Sequence, residues 1–176
     1  MKLTTQAIAK EFNAIYAYTQ SDEINLLLHK KRETSMFPYE NKPQKLISVA
    51  SSFTSVTFYQ EIINEFPELN EYIKQKRPHF DARAFSVPNL EEGVLCFYIR
   101  EMDLNRNAVS SLARANFSSK QLANKKRKDM MAMMKEIGVI FNDMPSDFRF
   151  GTYFRTDKML DISLVGVENR IDLLNE

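Results

Sequence analysis

The stretch IYAYTQSDEINLLL, residues 15–28, decides how this 176-residue chain begins to fold. Two apolar runs flank a short polar tip, which is typical of a β-hairpin, or of a strand with a bulged turn. The polar tip is the cluster TQSDE, residues 19–23. The stretch therefore predicts an antiparallel strand pair with two adjacent carboxylates, Asp22 and Glu23, at its turn.

These two carboxylates are the residues best suited to chemistry. Hard oxygen ligands hold Mg²⁺, and the metal neutralises charge on a phosphoryl group during its transfer. Asp22 and Glu23, flanked by Ser21, are therefore candidate catalytic residues and metal ligands. The alternative interpretation is a solvated acidic turn, because most acidic pairs on turns are simply hydrated.

Apolar residues at helical spacing predict helices before and after the hairpin, over residues 3–14 and 45–66. Residues 29–44 are basic and contain prolines, so they are expected to form a loop. The alternation of apolar and polar residues across 78–88, bounded by prolines, predicts a short strand.

Residues 89–115 form the longest predicted helix, with Asn89 as its N-cap and acidic residues in the first turn, where the helix dipole favours them. Besides an apolar face, this helix carries a polar stripe of short and mixed side chains. Such a stripe suits a site or a hydrogen-bond network as well as it suits a plain surface. Its members are Arg100, Asp103, Asn107, Ser110 or Ser111, and Arg114.

Ser118 and Ser119 are expected to cap a further helix over residues 120–136, which Gly138 ends. The methionines of this helix are expected in the core rather than in a binding groove. Two strands are predicted beyond it, at 148–155 and 161–166. Helices and strands alternate loosely, so the predicted fold class is α+β, with an antiparallel-leaning sheet and helices packed on one face.

Charge is balanced in total, with 24 basic and 23 acidic residues, but it is segregated along the chain. Between residues 118 and 135, six basic side chains accompany a single acid, Asp129. A near-neutral protein with such a face can hold a polyanion locally, and solvated helix faces are the alternative. The six are Lys120, Lys125, Lys126, Arg127, Lys128 and Lys135.

Composition excludes several classes of protein. The four glycines are far apart, so a phosphate-binding glycine loop of either common type is excluded. Two histidines and one cysteine exclude a zinc finger and a disulfide framework, and a lone cysteine fits a reducing compartment. The longest apolar run, residues 93–99, is too short to cross a bilayer, and the N-terminus lacks the apolar core of a signal peptide. We therefore expect a cytoplasmic protein with no membrane partner.

Five blocks of the sequence, in order, resemble the tRNA-His guanylyltransferase family and its bacterial and archaeal relatives, the Thg1-like proteins. The blocks are YTQSDEINLLL (18–28), KLISVASSFTSVTF (45–58), FDARAF (80–85), REMDLNRNAVSSLARANFSSKQL (100–122), and FNDMP followed by FRFGTYFR (141–155). The resemblance implies a catalytic domain built like the palm of ordinary polymerases. It also implies a nucleotidyltransferase that adds nucleotides in the 3′-to-5′ direction to the 5′ end of tRNA.

The resemblance further implies cofactors, partners and site residues. It implies two Mg²⁺ ions, ATP and GTP as substrates, tRNA as a partner, and a homodimer or homotetramer. Asp22 looks like a shared metal ligand, with Glu23 and Ser21 in the same site. Nucleotide contacts are implied for Ser21, Arg83, Asn107, Lys120 and Lys125, and RNA contacts for Arg106, Lys126, Arg127 and Lys128.

The chain departs from the family pattern at two places. The eukaryotic guanylyltransferases carry a HINN block where this chain has LNRN (104–107), which is similar to the branch that repairs 5′-truncated tRNAs by template-directed addition. The family's first motif, an Asp-Gly-Arg strand that supplies the other metal carboxylate, has no counterpart in the sequence. A nucleotidyl cyclase-like palm also carries an acidic pair on a hairpin, but the ANFSSKQL and FNDMP blocks oppose that interpretation.

The missing motif leaves three alternatives open: a fragment or internal start of a longer enzyme, a chain completed by a partner's strand, or a non-catalytic RNA-binding remnant. We expect a single domain over residues 1–176. Within it, 1–88 is a truncated palm portion that lacks its N-terminal strand, 89–156 is a helical C-terminal portion, and 157–176 is a tail.

Overall fold

A computed structural model describes residues 1–29, 37–156 and 162–165 of the chain. Helices and strands are numbered separately in chain order. They are α1 (Lys2–Glu11), β1 (Tyr16–Gln20), β2 (Glu23–Leu27), α2 (Pro43–Glu65), α3 (Asn70–Lys76), α4 (Leu90–Asn116), α5 (Ser119–Leu122), α6 (Arg127–Glu136), α7 (Ser146–Phe150), β3 (Thr152–Thr156) and β4 (Ile162–Val165). Short 3₁₀ turns precede α2 and α3, and another lies at Phe141–Asp143. None of the helices within these ranges has the length and apolar character needed to cross a membrane.

The strands form one antiparallel sheet in the order β2-β1-β3-β4. β1 pairs with β2 through Tyr16 opposite Leu27, and with β3 through Tyr16 opposite Arg155. The α+β prediction with an antiparallel sheet and a hairpin over residues 15–28 is confirmed. β3 lies in the C-terminal half of the chain but is a direct neighbour of β1, so the sheet joins both halves of the sequence.

Helices cover both faces of the central strand β1, whereas the sequence predicted helices on one face only. Tyr16 and Tyr18 pack with Val94 and Phe97 of α4. Ala17, on the opposite face, packs with Phe154 of β3, with Ala9 of α1 and with Ala14. Because both faces are buried, β1 is buried at all five positions and shows no apolar-polar alternation.

A second apolar cluster lies where the C-terminal half of α4 meets α5 and α6. Val109 and Ala113 of α4 pack here with Leu122 of α5, Met134 of α6, and Phe141. Met134 is fully buried and its neighbouring methionines are partly buried. The prediction that these methionines belong to the core is therefore confirmed, as expected for a flexible side chain that fills irregular gaps.

The predicted helices at 3–14, 45–66 and 89–115 are confirmed as α1, α2 and α4. Asn89 caps α4 as predicted, because its side-chain oxygen accepts a 2.9 Å hydrogen bond from the Glu92 amide. The strand predicted at 161–166 is confirmed as β4. Residues 30–36 of the predicted 29–44 loop, which include the basic run Lys30–Arg32, and most of the 157–176 tail lie outside the described residues.

Three predicted elements are wrong. The helix predicted over 120–136 is broken into α5 and α6, because Asn124 adopts a left-handed φ of 60° and Asp129 accepts a hydrogen bond from the Lys126 amide to begin a new helix. The strand predicted over 148–155 begins only at Thr152, because α7 occupies the preceding residues.

The third error is the strand predicted over 78–88, where the structure has no regular element. This segment packs along α2 instead of joining the sheet. The Phe80 amide donates to Ser55 Oγ at 3.0 Å, and the Phe80 ring meets the Phe58 ring edge-on with centroids 5.4 Å apart. Bounding prolines and local alternation indicated an extended segment but could not reveal a missing partner strand.

Candidate functional site

The hairpin tip is a two-residue loop formed by Ser21 and Asp22, because Gln20, the last residue of β1, pairs with Glu23, the first residue of β2. Ser21 has a φ of 54°, in the left-handed region that favours glycine. Both loop side chains are exposed. The loop therefore presents the Asp22 carboxylate to solvent at the end of a rigid strand pair.

Buried hydrogen bonds fix the base of this tip. Gln20 is 5% exposed, and its amide nitrogen donates to the Phe148 carbonyl oxygen at 2.8 Å. The fully buried Tyr18 hydroxyl lies 2.7 Å from Gln20 Oε1 and 3.0 Å from the Phe150 carbonyl oxygen. Helix α7 thus holds the end of β1, and through it the orientation of the tip.

Glu23 is bound by an arginine from α4. The Arg100 guanidinium donates to both Glu23 carboxylate oxygens, one of them at 2.7 Å, and Asn25 Nδ2 donates to Glu23 Oε1 at 2.9 Å. The hydrogen bonds from Arg100 lower the pKa of Glu23 below its usual value, and this effect outweighs burial, which raises it. Glu23 is therefore ionised and already engaged by a cation.

Two further ion pairs extend this contact along α4. Arg100 Nη1 lies 3.5 Å from Asp103, and Asp103 lies 3.4 Å from Arg106 Nη1. The first two members of the polar stripe predicted on this helix, Arg100 and Asp103, therefore belong to a network of ion pairs. Asn107, the next member, is exposed on the same helix.

The chemistry of the donor set decides how well the tip fits Mg²⁺. The ion prefers one or two carboxylates, with water and substrate phosphates completing its shell. Asp22 can supply one such oxygen, whereas the Glu23 carboxylate already accepts three hydrogen bonds, two of them from the Arg100 guanidinium. Within residues 1–29, 37–156 and 162–165, no group of three acidic, histidine or cysteine side chains could hold a metal ion. Of the two carboxylates at the tip, Asp22 is therefore the one that is exposed and not engaged by Arg100.

Arg83 lies away from the tip in the irregular segment beside α2. Its side chain is 88% exposed and pairs with Asp81 at 3.4 Å. In the described part of the chain, no hydrogen bond or ion pair links Arg83 to the hairpin. The predicted nucleotide contact of Arg83 stays a prediction.

The predicted basic residues, Lys120 of α5 and residues 125–128 around the start of α6, are all exposed, and we call them the basic segment. The Arg127 guanidinium donates at 2.8 Å to Asn105 Oδ1, and Asn105 Nδ2 donates to the Arg149 carbonyl oxygen. Asn105 lies five residues beyond Arg100, which is about 7.5 Å along the helix axis. Helix α4 therefore connects the hairpin tip to the basic segment.

Sequence reasoning missed three residues of this arrangement as site residues. Arg100 was placed in the polar stripe without a partner, and Asn105 and Gln20 were not singled out. A bidentate arginine is the expected partner of a carboxylate at a strand end. The spacing of 77 residues between Glu23 and Arg100, however, provides no local signal for their contact.

The family model described as "Thg1: tRNAHis guanylyltransferase" matches residues 1–88, half of the chain. The chain belongs to the tRNAHis guanylyltransferase family. A tRNA(His) guanylyltransferase of Debaryomyces hansenii is 30% identical over 148 residues, which cover 77% of this chain. The chain spans only 54% of that relative's length.

Solved guanylyltransferase-like structures share the fold. A bacterial tRNA(His) guanylyltransferase (Thg1)-like protein in complex with ATP is 29% identical, with a TM-score of 0.79 over 93% of this chain and 69% of that one. A bacterial protein of the same description in complex with GTP is 26% identical, with a TM-score of 0.67 over 93% and 66% of the two chains. The resemblance to the family inferred from the five sequence blocks is thereby confirmed.

Proposed function

We propose that this chain carries the nucleotide and tRNA sites of an enzyme that adds nucleotides to the 5′ end of tRNA, with nucleoside triphosphates as substrates. Membership of the guanylyltransferase family supports this reaction. The bacterial relatives in complex with ATP and with GTP support the substrate class. Of the two reactions, guanylylation of tRNA-His and template-directed 5′-end repair, the LNRN block favours repair.

The observation that carries the proposal is the exposed Asp22 carboxylate beside a Glu23 that Arg100 holds in place. Asp22 would hold Mg²⁺, which neutralises phosphate charge when it is bound. Arg100 favours the ionised form of Glu23 and fixes the start of β2, so the loop that carries Asp22 stays oriented. Ser21 precedes Asp22 in the same loop and is proposed to contact the nucleotide.

The basic segment is proposed to hold the tRNA backbone. Its side chains are exposed. The acidic residue next to them, Asp129, is engaged at the start of α6, where its carboxylate accepts a hydrogen bond from the Lys126 amide. Phosphate contacts by lysine and arginine supply most of the sequence-independent affinity of nucleic-acid complexes. Arg127 is hydrogen-bonded to Asn105 of α4, and Arg100 of the same helix contacts Glu23 of the hairpin. Bound tRNA would therefore run along α4 from the basic segment to the hairpin tip.

A second candidate function is a non-catalytic tRNA-binding protein. The absence of a third potential metal ligand near Asp22 and Glu23, within the residues that the structure describes, favours it. In this case the basic segment would still bind tRNA, but Asp22 would be a solvated turn residue. Self-association of the chain, which the family resemblance implies, also stays a prediction.

Incorporation of radiolabelled GTP into a 5′-triphosphorylated, 5′-truncated tRNA distinguishes the two candidates. We expect Mg²⁺-dependent incorporation that Asp22→Asn reduces at least a hundredfold, because the amide removes the anionic ligand and keeps its shape. Glu11→Gln, which removes an exposed carboxylate from α1, is the matched control and should retain activity.

Equal incorporation by the parent chain and Asp22→Asn would exclude Asp22 from the site. Tight tRNA binding without incorporation by the parent chain would support the non-catalytic alternative. Activity that appears only when a segment with the Asp-Gly-Arg motif is fused to the N-terminus would show that the reaction needs a second carboxylate.

A further inference from the structure

The C-terminal turn of α7 is held by side chains from β1 and α4. The last four carbonyl groups of a helix have no partner within the helix. Three consecutive carbonyl oxygens of α7 each meet a side-chain donor instead. The three contacts join Gln20 Nε2 to the Phe148 oxygen at 2.8 Å, Asn105 Nδ2 to the Arg149 oxygen at 2.5 Å, and the Tyr18 hydroxyl to the Phe150 oxygen at 3.0 Å. A helix of five residues is too short to be stable alone, so its position depends on these contacts.

Asn105 and Gln20 use both ends of their side-chain amides. The Asn105 oxygen accepts a 2.8 Å hydrogen bond from the Arg127 guanidinium, while the Asn105 nitrogen donates to α7. The Gln20 oxygen lies 2.7 Å from the Tyr18 hydroxyl, while the Gln20 nitrogen donates to the neighbouring carbonyl of α7. Asn105 is 9% exposed and Gln20 is 5% exposed, so water competes little for either amide. Hydrogen bonds through α7 therefore join Arg127 to the residue that precedes the tip loop.

Arg127 is both exposed and anchored. A guanidinium group has five N–H donors, and within the described residues Asn105 is the side chain that accepts from Arg127. The other donors can bind an RNA phosphate without breaking this bond. A cationic donor also polarises the Asn105 amide, which strengthens the hydrogen bond from its nitrogen to α7.

We propose that Arg127, Asn105 and α7 form a positioning link, through which the basic segment holds the hairpin tip in its working orientation. Asn105 is the central positioning residue, because it fixes α7, and α7 in turn fixes Gln20 and the loop that carries Asp22. The inference rests on the proposed function, since the RNA site and the nucleotide site are the two ends of the link. A phosphate bound at Arg127 steadies the tip by the same route.

Hydrogen–deuterium exchange of the 176-residue chain, read by mass spectrometry without tRNA, tests the link through Asn105→Asp. This change keeps an acceptor for Arg127 but places an oxygen against the Arg149 carbonyl, where the parent has a donor. Amide exchange should become about tenfold faster in residues 147–151 and also in residues 18–23, because a buried carbonyl loses its partner.

Asn116→Asp is the matched control on the same helix. Asn116 is exposed, and its nitrogen donates to the Leu112 carbonyl oxygen at 2.8 Å. The same substitution therefore breaks a bond of the same kind, and adds the same charge, outside the link. Exchange at the hairpin should match that of the parent chain.

A second pair of variants tests the basic end of the link. Arg127→Met should speed exchange about threefold in the same two segments, because it removes the cation but leaves the Asn105 amide in place. Lys128→Met removes a neighbouring exposed charge that has no hydrogen bond to α4 within the described residues, and it should change neither segment. Exchange in α2, which contains no member of the link, should match the parent in all four variants.

Faster exchange in α7 with an unchanged hairpin would give Asn105 a local structural role and overturn the proposal. If Asn105→Asp also speeds exchange in α2, the exposed substitution Arg127→Met decides, and parent-like exchange at its hairpin would overturn the proposal. With tRNA added, the hairpin of the parent should become more protected than that of Asn105→Asp. A parent chain that binds no tRNA would contradict the proposed function, whereas exchange without tRNA still decides the link.

Discussion

Arg100 and Glu23 form the contact that links α4 to the hairpin. The Glu23 side chain is 28% exposed and the Arg100 side chain is 40% exposed, so solvent screens part of the attraction. The bidentate geometry and the hydrogen bond from Asn25 favour this pair over an ordinary surface ion pair. We attribute the fixed position of the loop that carries Asp22 to this pair and to the buried Gln20.

A double-mutant cycle of Glu23→Gln and Arg100→Gln should measure a coupling free energy of about 1 kcal/mol at pH 7. The pKa of Glu23 is lower in the folded chain than its usual value of 4.5, because Arg100 favours the charged form. The coupling is therefore complete above pH 4.5 and is lost as the pH falls through the folded-state pKa. Urea unfolding of the four proteins at several pH values provides the measurement.

Two results would contradict this account of the pair. Coupling that persists unchanged at pH 2 would show that the charge of Glu23 does not contribute to it. Coupling that disappears as the pH rises from 5 to 8 would have the wrong sign for a carboxylate with a lowered pKa. The exposed pair of Lys2 and Asp147 provides a comparison cycle on α1 and α7, where more exposed side chains should couple more weakly.

Among the elements, β3 depends on a glycine at its entry. Gly151 has a φ of 79° and a ψ of −166°, a backbone region that is open almost only to glycine. A Cβ at this position would also lie 2.6 Å from the Thr19 carbonyl oxygen. Gly151 therefore lets the chain turn from α7 into β3 while it passes close to β1.

The matched pair Gly151→Ala and Gly93→Ala tests the importance of this turn. Gly151→Ala should lower the free energy of unfolding by more than about 2 kcal/mol, because both the backbone and the Thr19 carbonyl resist the methyl group. Gly93→Ala meets only the end of the flexible Leu27 side chain, at 2.6 Å, and gains about 1 kcal/mol in helix propensity. We expect it to change stability by less than about 1 kcal/mol in chemical denaturation. Equal losses in the two variants would refute the role assigned to Gly151.

The elements also show what local sequence can predict. The hairpin, α1, α2 and α4 follow from apolar spacing and from the Asn89 cap, because those signals act within a few residues. The error at 120–136 has a local cause too, since Asn124 can adopt a left-handed φ and Asp129 can begin a helix, but apolar spacing continues across the break. The error at 78–88 has a distant cause, because strand formation requires a partner and this segment packs on α2 instead.

The candidate site was predictable only in part, for the same reason. Asp22 and Glu23 are adjacent in sequence, so their joint position at the tip follows from the hairpin. Arg100 donates a hydrogen bond to Glu23, and Arg127 donates one to Asn105. Both bonds depend on how α4 packs against the sheet and α6. The predicted grouping of Glu23 with Asp22 as metal ligands did not include this competing cation.

On the scale of the whole molecule, α4 is the element that organises the proposed function. Its core face packs on the sheet, Arg100 holds the hairpin tip, and Asn105 holds the basic segment. The central claim is therefore geometric: tRNA held by the basic segment places its 5′ end at the loop that carries Asp22.

Photocrosslinking from the 5′ end of tRNA tests this claim most directly. A 5′-thiophosphate tRNA that carries an azidophenacyl group is bound to the chain, irradiated, and mapped by mass spectrometry. We predict crosslinks within residues 18–27 and on the adjoining part of α4. Their yield should fall severalfold when Lys125, Lys126, Arg127 and Lys128 are replaced together by alanine. Crosslinks on α2 or α3 with none at the hairpin, or an unchanged yield in the quadruple variant, would contradict the account.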